Sequence, residues 1–139
     1  MRREDGFTLV EILVVMLILG LLAAVAIPSF FYQREKAKDA QAKVAVRTAQ
    51  TAAETIATDN EGAYDGPGGV TVANLVNVEH SLSGANLSVP AVGQKTYTVR
   101  VTSDTGNYFE IERFPDGHTE ATCQTTGNGG CPTGGFWEK

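Results

Sequence analysis

The N-terminal part of the chain contains one long apolar run. Residues 7–27 include a single charged side chain, Glu11, and no proline. As a helix this run measures roughly 32 Å at about 1.5 Å per residue, which is enough to cross a bilayer core of about 30 Å. A carboxylate in such a span costs on the order of 2.5–3.5 kcal/mol at the bilayer centre and less near its edge. Glu11 therefore requires a compensating partner.

After Pro28 the pattern becomes amphipathic. Residues 29–59 contain neither Gly nor Pro, and small apolar side chains recur at helical spacing. The pattern predicts that the helix continues and ends at residues 60–62, with Gly62 as its C-cap. Such a helix has about 50 residues, whereas the mean α-helix of a globular protein has about 12. The apolar positions are Ala37, Ala40, Val44, Ala45, Ala49, Ala52, Ala53 and Ile56.

The C-terminal half carries the alternation of β-strands. Apolar and polar residues alternate at residues 95–102, 108–113 and 118–123, with Gly- or Asn-containing turns between them. Residues 70–77 fit either a short helix or a strand, and residues 80–84 are expected to form a turn. An antiparallel meander follows, with one face packed on the helix. Phe136 and Trp137 are expected to cover the sheet edge or to meet a neighbouring molecule.

These elements define an α+β fold class. A long N-terminal helix, transmembrane in its first half and amphipathic in its second, packs on a small antiparallel sheet. The predicted organisation is a leader at residues 1–6, a transmembrane assembly helix at 7–28, an amphipathic helix at 29–60 and a C-terminal sheet region at 61–139.

The start of the apolar run carries a recognisable motif. A short polar leader ends at Gly6 and is followed by Phe7, Thr8, Leu9, Val10 and Glu11. This order resembles the N-terminus of type IV prepilins and pseudopilins, in which a leader ending in Gly precedes Phe-Thr-Leu, an apolar residue and Glu. The specific match covers about the first 30 residues, and the remainder resembles the family in its pilin-like architecture.

The resemblance implies roles for three residues. A membrane-embedded prepilin peptidase would cut after Gly6, where the absence of a side chain lets a protease approach the backbone closely. The new terminal residue, Phe7, would then be N-methylated. Glu11 would pair with the terminal amine of Phe7 in a neighbouring subunit. Because an unpaired charge is costly in a low-dielectric setting, this pairing would fix the axial register between subunits.

The resemblance also implies a weak point in the helix. Gly20 and Pro28 lie where the family has a helix-weakening Gly and a kinking Pro. Pro removes one backbone donor and clashes with the preceding turn. The stretch between the two residues is therefore expected to lose helicity in assembled filaments.

The two cysteines lie in the part of the chain that is expected to reach an oxidising compartment. Arg2 and Arg3 precede the apolar run, which favours a cytoplasmic N-terminus and an exported C-terminal region. Cys123 and Cys131 both lie in that exported region, so a disulfide between them is expected. The pair resembles the C-terminal disulfide loop of many type IV pilins.

The family resemblance implies partners and a location. The subunit would be a single-pass protein of the cytoplasmic membrane before assembly and part of an extracellular, cell-surface filament afterwards. It would form a helical homo-oligomer and would depend on the prepilin peptidase, an assembly ATPase and an inner-membrane platform protein. Major pilin, minor pilin, competence pilin and type II secretion pseudopilin all remain open.

Charge and motif content argue against other classes. The net charge is −5 with no basic stripe, which disfavours nucleic-acid binding. The chain has no nucleophile elbow, P-loop or paired-His metal motif, so neither an enzyme nor a cofactor is expected. His80 and His118 lack zinc-ligand spacing with the cysteines. The turns holding Asp104 and Asp116 lack the density of oxygen ligands that Ca²⁺ requires.

Three other interpretations of the N-terminus stay open. A secretory signal peptide also fits Arg2 and Arg3, the apolar residues 12–22 and the Ala-Val-Ala sequence at 24–26. That interpretation must tolerate the charges of Glu4, Asp5 and Glu11, and it gives residues 7–9 no role. The run could also be a membrane anchor that is never processed. In the third interpretation the anchored chain is a monomeric adhesive or binding module. The N-terminus of the mature protein and its oligomeric state distinguish these.

Overall fold

The computed structural model of the chain describes residues 6–124 and 126–138. The chain divides into two compact units, Met1–Arg34 and Glu35–Lys139, which we call the N-terminal unit and the C-terminal unit. One helix, α1 (Leu9–Asp59), contributes residues to both. The other elements form a four-stranded antiparallel sheet and two short helices, so the predicted α+β class is confirmed.

The N-terminal unit is an exposed apolar helix. Among residues 6–34, every side chain except the half-buried Ala23 is exposed. The helix is continuous through Gly20 and Pro28 in the single chain. By length and composition, α1 is long and apolar enough to cross a membrane. Its apolar surface has no protein cover within the described part of the chain.

The C-terminal unit has a closed hydrophobic core. From α1, the small side chains of Ala42, Val46, Ala49 and Ala53 are buried on one face. They join one cluster with the inward residues of the sheet, of which Tyr97, Val99, Phe109 and Ile111 are at most 1% exposed. Burying one large apolar side chain contributes about 1.5–3 kcal/mol to the free energy of unfolding. The predicted apolar positions from Ala45 onward thus form the helix side of this core, whereas the predicted positions Ala37, Ala40 and Val44 are exposed.

The sheet is a meander in the order β1–β2–β3–β4. The strands are β1 (Leu87–Gly93), β2 (Thr96–Thr102), β3 (Tyr108–Arg113) and β4 (Thr119–Cys123). The three predicted strands correspond to β2, β3 and β4, with β2 and β4 each starting one residue later than expected. Strand β1 was not predicted, and its pairing with β2 is interrupted by a bulge between Ser88 and Ala91.

Two short helices connect α1 to the sheet. The ambiguous residues 70–77 form a helix, α2 (Val72–Val78), whose first turn is capped by Thr71. The expected turn at residues 80–84 is a 3₁₀-helix, His80–Gly84. Helix α1 ends at Asp59, and the Gly62 amide donates to the Ala57 carbonyl at 2.7 Å. Gly62 has a φ of +85°, as a glycine C-cap requires.

Candidate functional site

The proposed cleavage junction lies just outside helix α1. Residues 6–8 are not helical, and both Gly6 and Phe7 are exposed, with Phe7 at 83%. A Cβ placed on Gly6 would meet nothing within 4 Å. The fold of the single chain therefore does not require glycine at this position. Residues 1–5, including Arg2 and Arg3, lie outside the described residues.

Glu11 takes part in a capping box with Thr8. The Glu11 Oε2 atom accepts hydrogen bonds from the Thr8 amide and the Thr8 hydroxyl, both at 2.8 Å. In return the Glu11 amide donates to the Thr8 hydroxyl oxygen at 3.2 Å. This reciprocal arrangement satisfies backbone donors that every helix start leaves without partners. The sequence signal for this cap is the Thr-x-x-Glu spacing ahead of an apolar run.

The capping box leaves Glu11 able to bind a second partner. A carboxylate offers about four acceptor positions, and the Thr8 bonds reach only Oε2. Phe7 lies one residue before the cap, at the exposed end of the helix. The structure therefore places the proposed methylation residue and the proposed assembly residue at the same helix end, with both accessible from outside.

Gly20 and Pro28 lie inside a regular helix. A Cβ on Gly20 would meet nothing within 4 Å, so no packing contact in the single chain explains the glycine. Pro28 has no backbone N–H and leaves the carbonyl four residues earlier without its helical partner. Each residue lowers the stability of the helix locally. Their effect in a filament stays a prediction.

The C-terminal unit is closed by a disulfide. Cys123 at the end of β4 is bonded to Cys131, with the Cα atoms 5.8 Å apart. Both residues are buried. The chain beyond Cys131 returns along β4, where the Cys123 amide donates to the Gly135 carbonyl at 2.8 Å. The disulfide therefore fixes the start of a segment that covers the outer edge of the sheet.

Trp137 completes this edge cover. Its amide donates to the Ala121 carbonyl at 3.0 Å, and its indole Nε1 donates to the Thr122 carbonyl at 2.9 Å. The indole packs edge-to-face on Phe109 at 6.2 Å between ring centroids. The cations of Lys43 and Arg47 lie 5.8 and 5.6 Å from the Trp137 ring. The end of the chain thus contacts both the sheet and α1.

Asp39 is a buried charge that joins α1 to two loops. Its carboxylate accepts hydrogen bonds from the Thr105 hydroxyl at 2.6 Å, the Asn107 side-chain amide at 2.9 Å and the Gly130 amide at 2.8 Å. Burial raises the pKa of Asp39, but these hydrogen bonds outweigh it, and the net pKa lies below the ordinary value. Desolvation lowers the pKa of the neighbouring Lys43, while the Asp39 charge opposes that shift.

The other end of α1 carries a second polar cluster. Glu54 accepts hydrogen bonds from the hydroxyls of Tyr64 at 2.7 Å and Tyr97 at 2.9 Å, and it pairs with Arg113 at 3.3 Å. Burial, followed by the bond to Glu54, raises the pKa of Tyr64 to about 12. The same two causes raise the pKa of Tyr97 above its usual range. Both tyrosines therefore stay neutral donors at physiological pH.

Metal-ligating side chains do not converge within the described residues 6–124 and 126–138, where no group of three or more His, Cys, Asp or Glu could hold an ion. Asp104 lies in the turn between β2 and β3. Asp116 accepts a bond from the His118 amide at 3.1 Å and contacts the His118 ring. The His118 side-chain bond is the main cause that lowers the pKa of Asp116.

Known proteins are similar to this chain both in its N-terminal motif and over much of its length. The family model described as the prokaryotic N-terminal methylation motif matches residues 1–27. The type IV major fimbrial protein FimA of Dichelobacter nodosus is 35% identical over 109 residues, which cover 75% of this chain and 68% of that protein.

Two shorter similarities involve related filament proteins. The type IV major pilin protein PilA of Myxococcus xanthus is 36% identical over 59 residues, covering 42% of this chain and 27% of that protein. The type II secretion system core protein G of Pseudomonas aeruginosa is 39% identical over 59 residues, covering 42% of each chain. No solved structure matches the chain significantly.

Proposed function

The chain belongs to the type IV pilin family, and we propose that it is cut after Gly6, N-methylated at Phe7 and polymerised through the exposed half of α1 as the structural subunit of a pilus. The observation that carries this proposal is the coincidence of the methylation motif with an apolar helical segment whose side chains are exposed among the described residues. Such a surface is stable in a bilayer or against other copies of itself.

The junction between residues 6 and 7 is suited to processing. It is exposed and non-helical, which is the condition that a protease requires of its substrate backbone. Cleavage there leaves a terminal amine on Phe7, two residues before the helix begins. The capacity of the Glu11 carboxylate to accept a further donor supports its pairing with the Phe7 amine of a neighbouring copy.

Assembly requires the helix to move from lipid into a filament. Both surroundings are apolar, so the transfer changes apolar burial little. We assign cleavage to a prepilin peptidase and extraction to an assembly ATPase acting with an inner-membrane platform protein. The subunit resides in the cytoplasmic membrane before assembly and in a cell-surface filament afterwards. No catalytic role is assigned to any of its residues.

The second candidate function is that of a pseudopilin in a type II secretion system. The similarity to core protein G supports it, because the identity of 39% is as high as that to the pilus proteins. The fimbrial similarity extends over 75% of this chain, whereas the core protein G similarity covers 42%. This longer match favours the pilus subunit.

The first test is the N-terminal peptide of the mature protein, read by mass spectrometry of the protein from sheared filaments, from membranes and from the culture medium. A methylated Phe7 at the terminus is the expected result. A terminus at Ile27 would identify a secreted protein with an ordinary signal peptide, and one at Met1 would identify an unprocessed anchor. A deletion strain separates the two filament functions, since a pilin mutant loses surface filaments and a pseudopilin mutant loses secretion.

A further inference from the structure

The loop closed by the disulfide, residues 123–131, contains an asparagine that is followed by glycine. Asn128 is the one asparagine of the sequence with glycine as its next residue. In such a pair the backbone nitrogen of the glycine attacks the side-chain Cγ of the asparagine readily, because no Cβ on the second residue hinders its approach. The attack is intramolecular, which raises its rate when the two groups are held close together. The pair of Asn128 and Gly129 is therefore a candidate for chemical modification.

The reacting groups of this pair lie at or near the surface. Asn128 is exposed and Gly129 is half-buried. Across residues 6–124 and 126–138, the structure gives a hydrogen-bond partner neither to the Asn128 side-chain amide nor to the Gly129 backbone amide. The Asn128 carbonyl accepts the local bonds, from the Cys131 amide at 3.0 Å and from the Asn107 side chain at 3.4 Å. Within those residues, cyclisation breaks no hydrogen bond of the two reacting amides.

The fold itself requires the glycine of the pair. Gly129 has a φ of +57°, which lies in the left-handed region that favours glycine. A Cβ at this position would collide with the Asp39 Oδ2 atom and would lie 3.2 Å from the side-chain amide nitrogen of Asn107. A residue with a side chain, which would hinder the attack on Asn128, therefore does not fit at position 129. The close approach of the loop to Asp39 keeps the reactive pair in the protein.

We propose that Asn128 and Gly129 form a site of spontaneous deamidation. The Gly129 nitrogen loses its proton and bonds to the Asn128 Cγ, the bond between Cγ and Nδ2 breaks, and ammonia leaves. Water then opens the resulting succinimide ring at either of its two carbonyls. One product has aspartate at position 128, and the other has isoaspartate, in which the backbone runs through Cβ and Cγ. Water is the only co-reactant, and the proposal goes beyond the filament function without depending on it.

The isoaspartyl product is expected to loosen the loop from α1. It adds one carbon to the backbone inside a loop whose cysteine Cα atoms are held 5.8 Å apart. The Gly130 amide, two residues after Asn128, donates to Asp39 at 2.8 Å. Because the closed loop cannot absorb the extra carbon at its ends, the bond between Gly130 and Asp39 is expected to be lost. Both products also add one negative charge to the loop.

Peptide mapping of the full chain in detergent tests the site. Samples are kept warm at mildly alkaline pH, and the conversion of each amide to an acid is followed by mass spectrometry of proteolytic peptides. Asn128 is expected to convert at least about tenfold faster than Asn77 and Asn86, which are exposed and are followed by Val and Leu. The rate should rise with pH, because the attacking nitrogen must lose its proton. Equal rates at the three asparagines overturn the proposal.

The reduced chain unfolded in urea provides the control for the fold. It gives the rate at which the same pair reacts when the loop is open and Asp39 is distant. Rapid conversion of Asn128 in urea, together with conversion as slow as that of Asn77 in the folded chain, would show that the fold protects the pair. That result would also overturn the proposal, and it would leave the filament function untouched.

Two variants separate the added charge from the longer backbone. Asn128→Gln keeps an amide but has to close a larger ring, so no conversion at position 128 is expected. Asn128→Asp, freshly purified, adds the charge on a normal backbone, and its Gly130 amide should exchange hydrogen as slowly as in fresh wild type. Aged wild type that is rich in isoaspartate should exchange this hydrogen at least about tenfold faster. Unchanged exchange at Gly130 in that sample would contradict the loss of the bond to Asp39.

Discussion

At the residue scale, Glu11 has one observed role and one proposed role, which the sequence alone does not separate. The structure gives it a local role, since its carboxylate caps the start of α1 together with Thr8. The proposed role in assembly uses the negative charge toward another copy. Replacing Glu11 with glutamine separates the capping role from the assembly role. A capping box accepts glutamine in place of glutamate, so the cap is kept while the negative charge is lost.

Glu11→Gln is therefore expected to insert into the membrane normally and to form few filaments. The glutamine keeps the cap and loses the charge that would attract the Phe7 amine. Membrane fractions and sheared filaments, compared by immunoblot, measure the two effects. In Thr8→Ala, which removes only the cap at a cost of about 1 kcal/mol, filament yield should fall less. A larger loss in Thr8→Ala would mean that capping, rather than charge, is what assembly requires.

Asp39 makes the free energy of unfolding depend on pH in the acid range. Its pKa is lowered in the folded chain, so the folded state binds this proton less tightly than the unfolded state. The stabilisation is fully present above the unfolded pKa of about 3.9 and is lost as the pH falls through the folded value. Asp39→Asn should cost about 2–3 kcal/mol at pH 7, because the charge-assisted bonds are lost.

Thermal unfolding of the full chain in detergent, followed at pH 7 and pH 3, measures this difference. The gap between wild type and Asp39→Asn should narrow at pH 3, which lies below the unfolded pKa of about 3.9, because the unfolded wild-type chain there binds a proton that folding must release. A gap that is the same at both pH values would mean that the charge of Asp39 contributes nothing. Asp116, whose pKa is also lowered but which is exposed, provides the comparison through Asp116→Asn.

The burial of Asp39 could not be predicted from the sequence. Its partners Thr105 and Asn107 lie 66 and 68 residues away, and Gly130 lies 91 residues away. Nothing in the local pattern separates Asp39 from the solvated charges around it. The need for glycine at position 130 could not be predicted either, because it arises from a contact with Asp39: a Cβ on Gly130 would lie 2.7 Å from the Asp39 Cβ. Long-range contacts decide both.

At the scale of elements, α1 contains a glycine that the single chain does not need. Gly20→Ala meets no steric obstacle and should stabilise the helix by about 1 kcal/mol. If assembly requires the stretch between Gly20 and Pro28 to lose helicity, the same change should reduce filament yield. Hydrogen exchange of that stretch in membranes and in filaments measures its helicity. Wild-type filaments with full protection there would contradict the role given to Gly20 and Pro28.

The disulfide stabilises the element that covers the sheet edge. It closes a loop with a sequence separation of 8, for which loop entropy contributes roughly 2–3 kcal/mol. The melting temperature of the full chain in detergent should fall when reductant is added. A variant with both Cys123→Ser and Cys131→Ser should melt at that lower temperature and should not respond to reductant. Equal melting of all four samples would show that Trp137 and its hydrogen bonds hold the segment alone.

Elements with a regular pattern were predictable, and β1 was not. Strand β3 alternates strictly, with Phe109 and Ile111 buried, and its predicted bounds are those of the structure. Strand β1 contains Pro90, ends in Gly93 and is mostly exposed, so neither composition nor alternation marks it. Its pairing with β2 depends on a partner already in place and on a bulge, which are properties of the sheet rather than of the strand.

At the scale of the whole molecule, the two units have separate sources of stability. Every residue of the hydrophobic cluster lies between Ala42 and Trp137, within the C-terminal unit. The N-terminal unit contributes an exposed apolar helix that depends on lipid or on other copies. Assembly can therefore change the surroundings of one unit without opening the core of the other. The sequence predicts a change from a continuous apolar run to an amphipathic pattern after Pro28, whereas the boundary between the two units lies between Arg34 and Glu35.

A fragment of residues 35–139 should accordingly fold as a soluble monomer. Its helix begins just before Asp39, whose three hydrogen bonds hold that end against the loops at residues 105–107 and 130. Light scattering should give the monomer mass. The melting temperature of the fragment should lie within roughly 8 °C of that of the full chain in detergent, which corresponds to about 1 kcal/mol.

The Asp39→Asn substitution in this fragment should fray the start of the helix, which hydrogen exchange at residues 36–42 measures. An unfolded fragment would mean that residues before 35 support the core, and a polymeric fragment would mean that the C-terminal unit associates without the apolar half of α1.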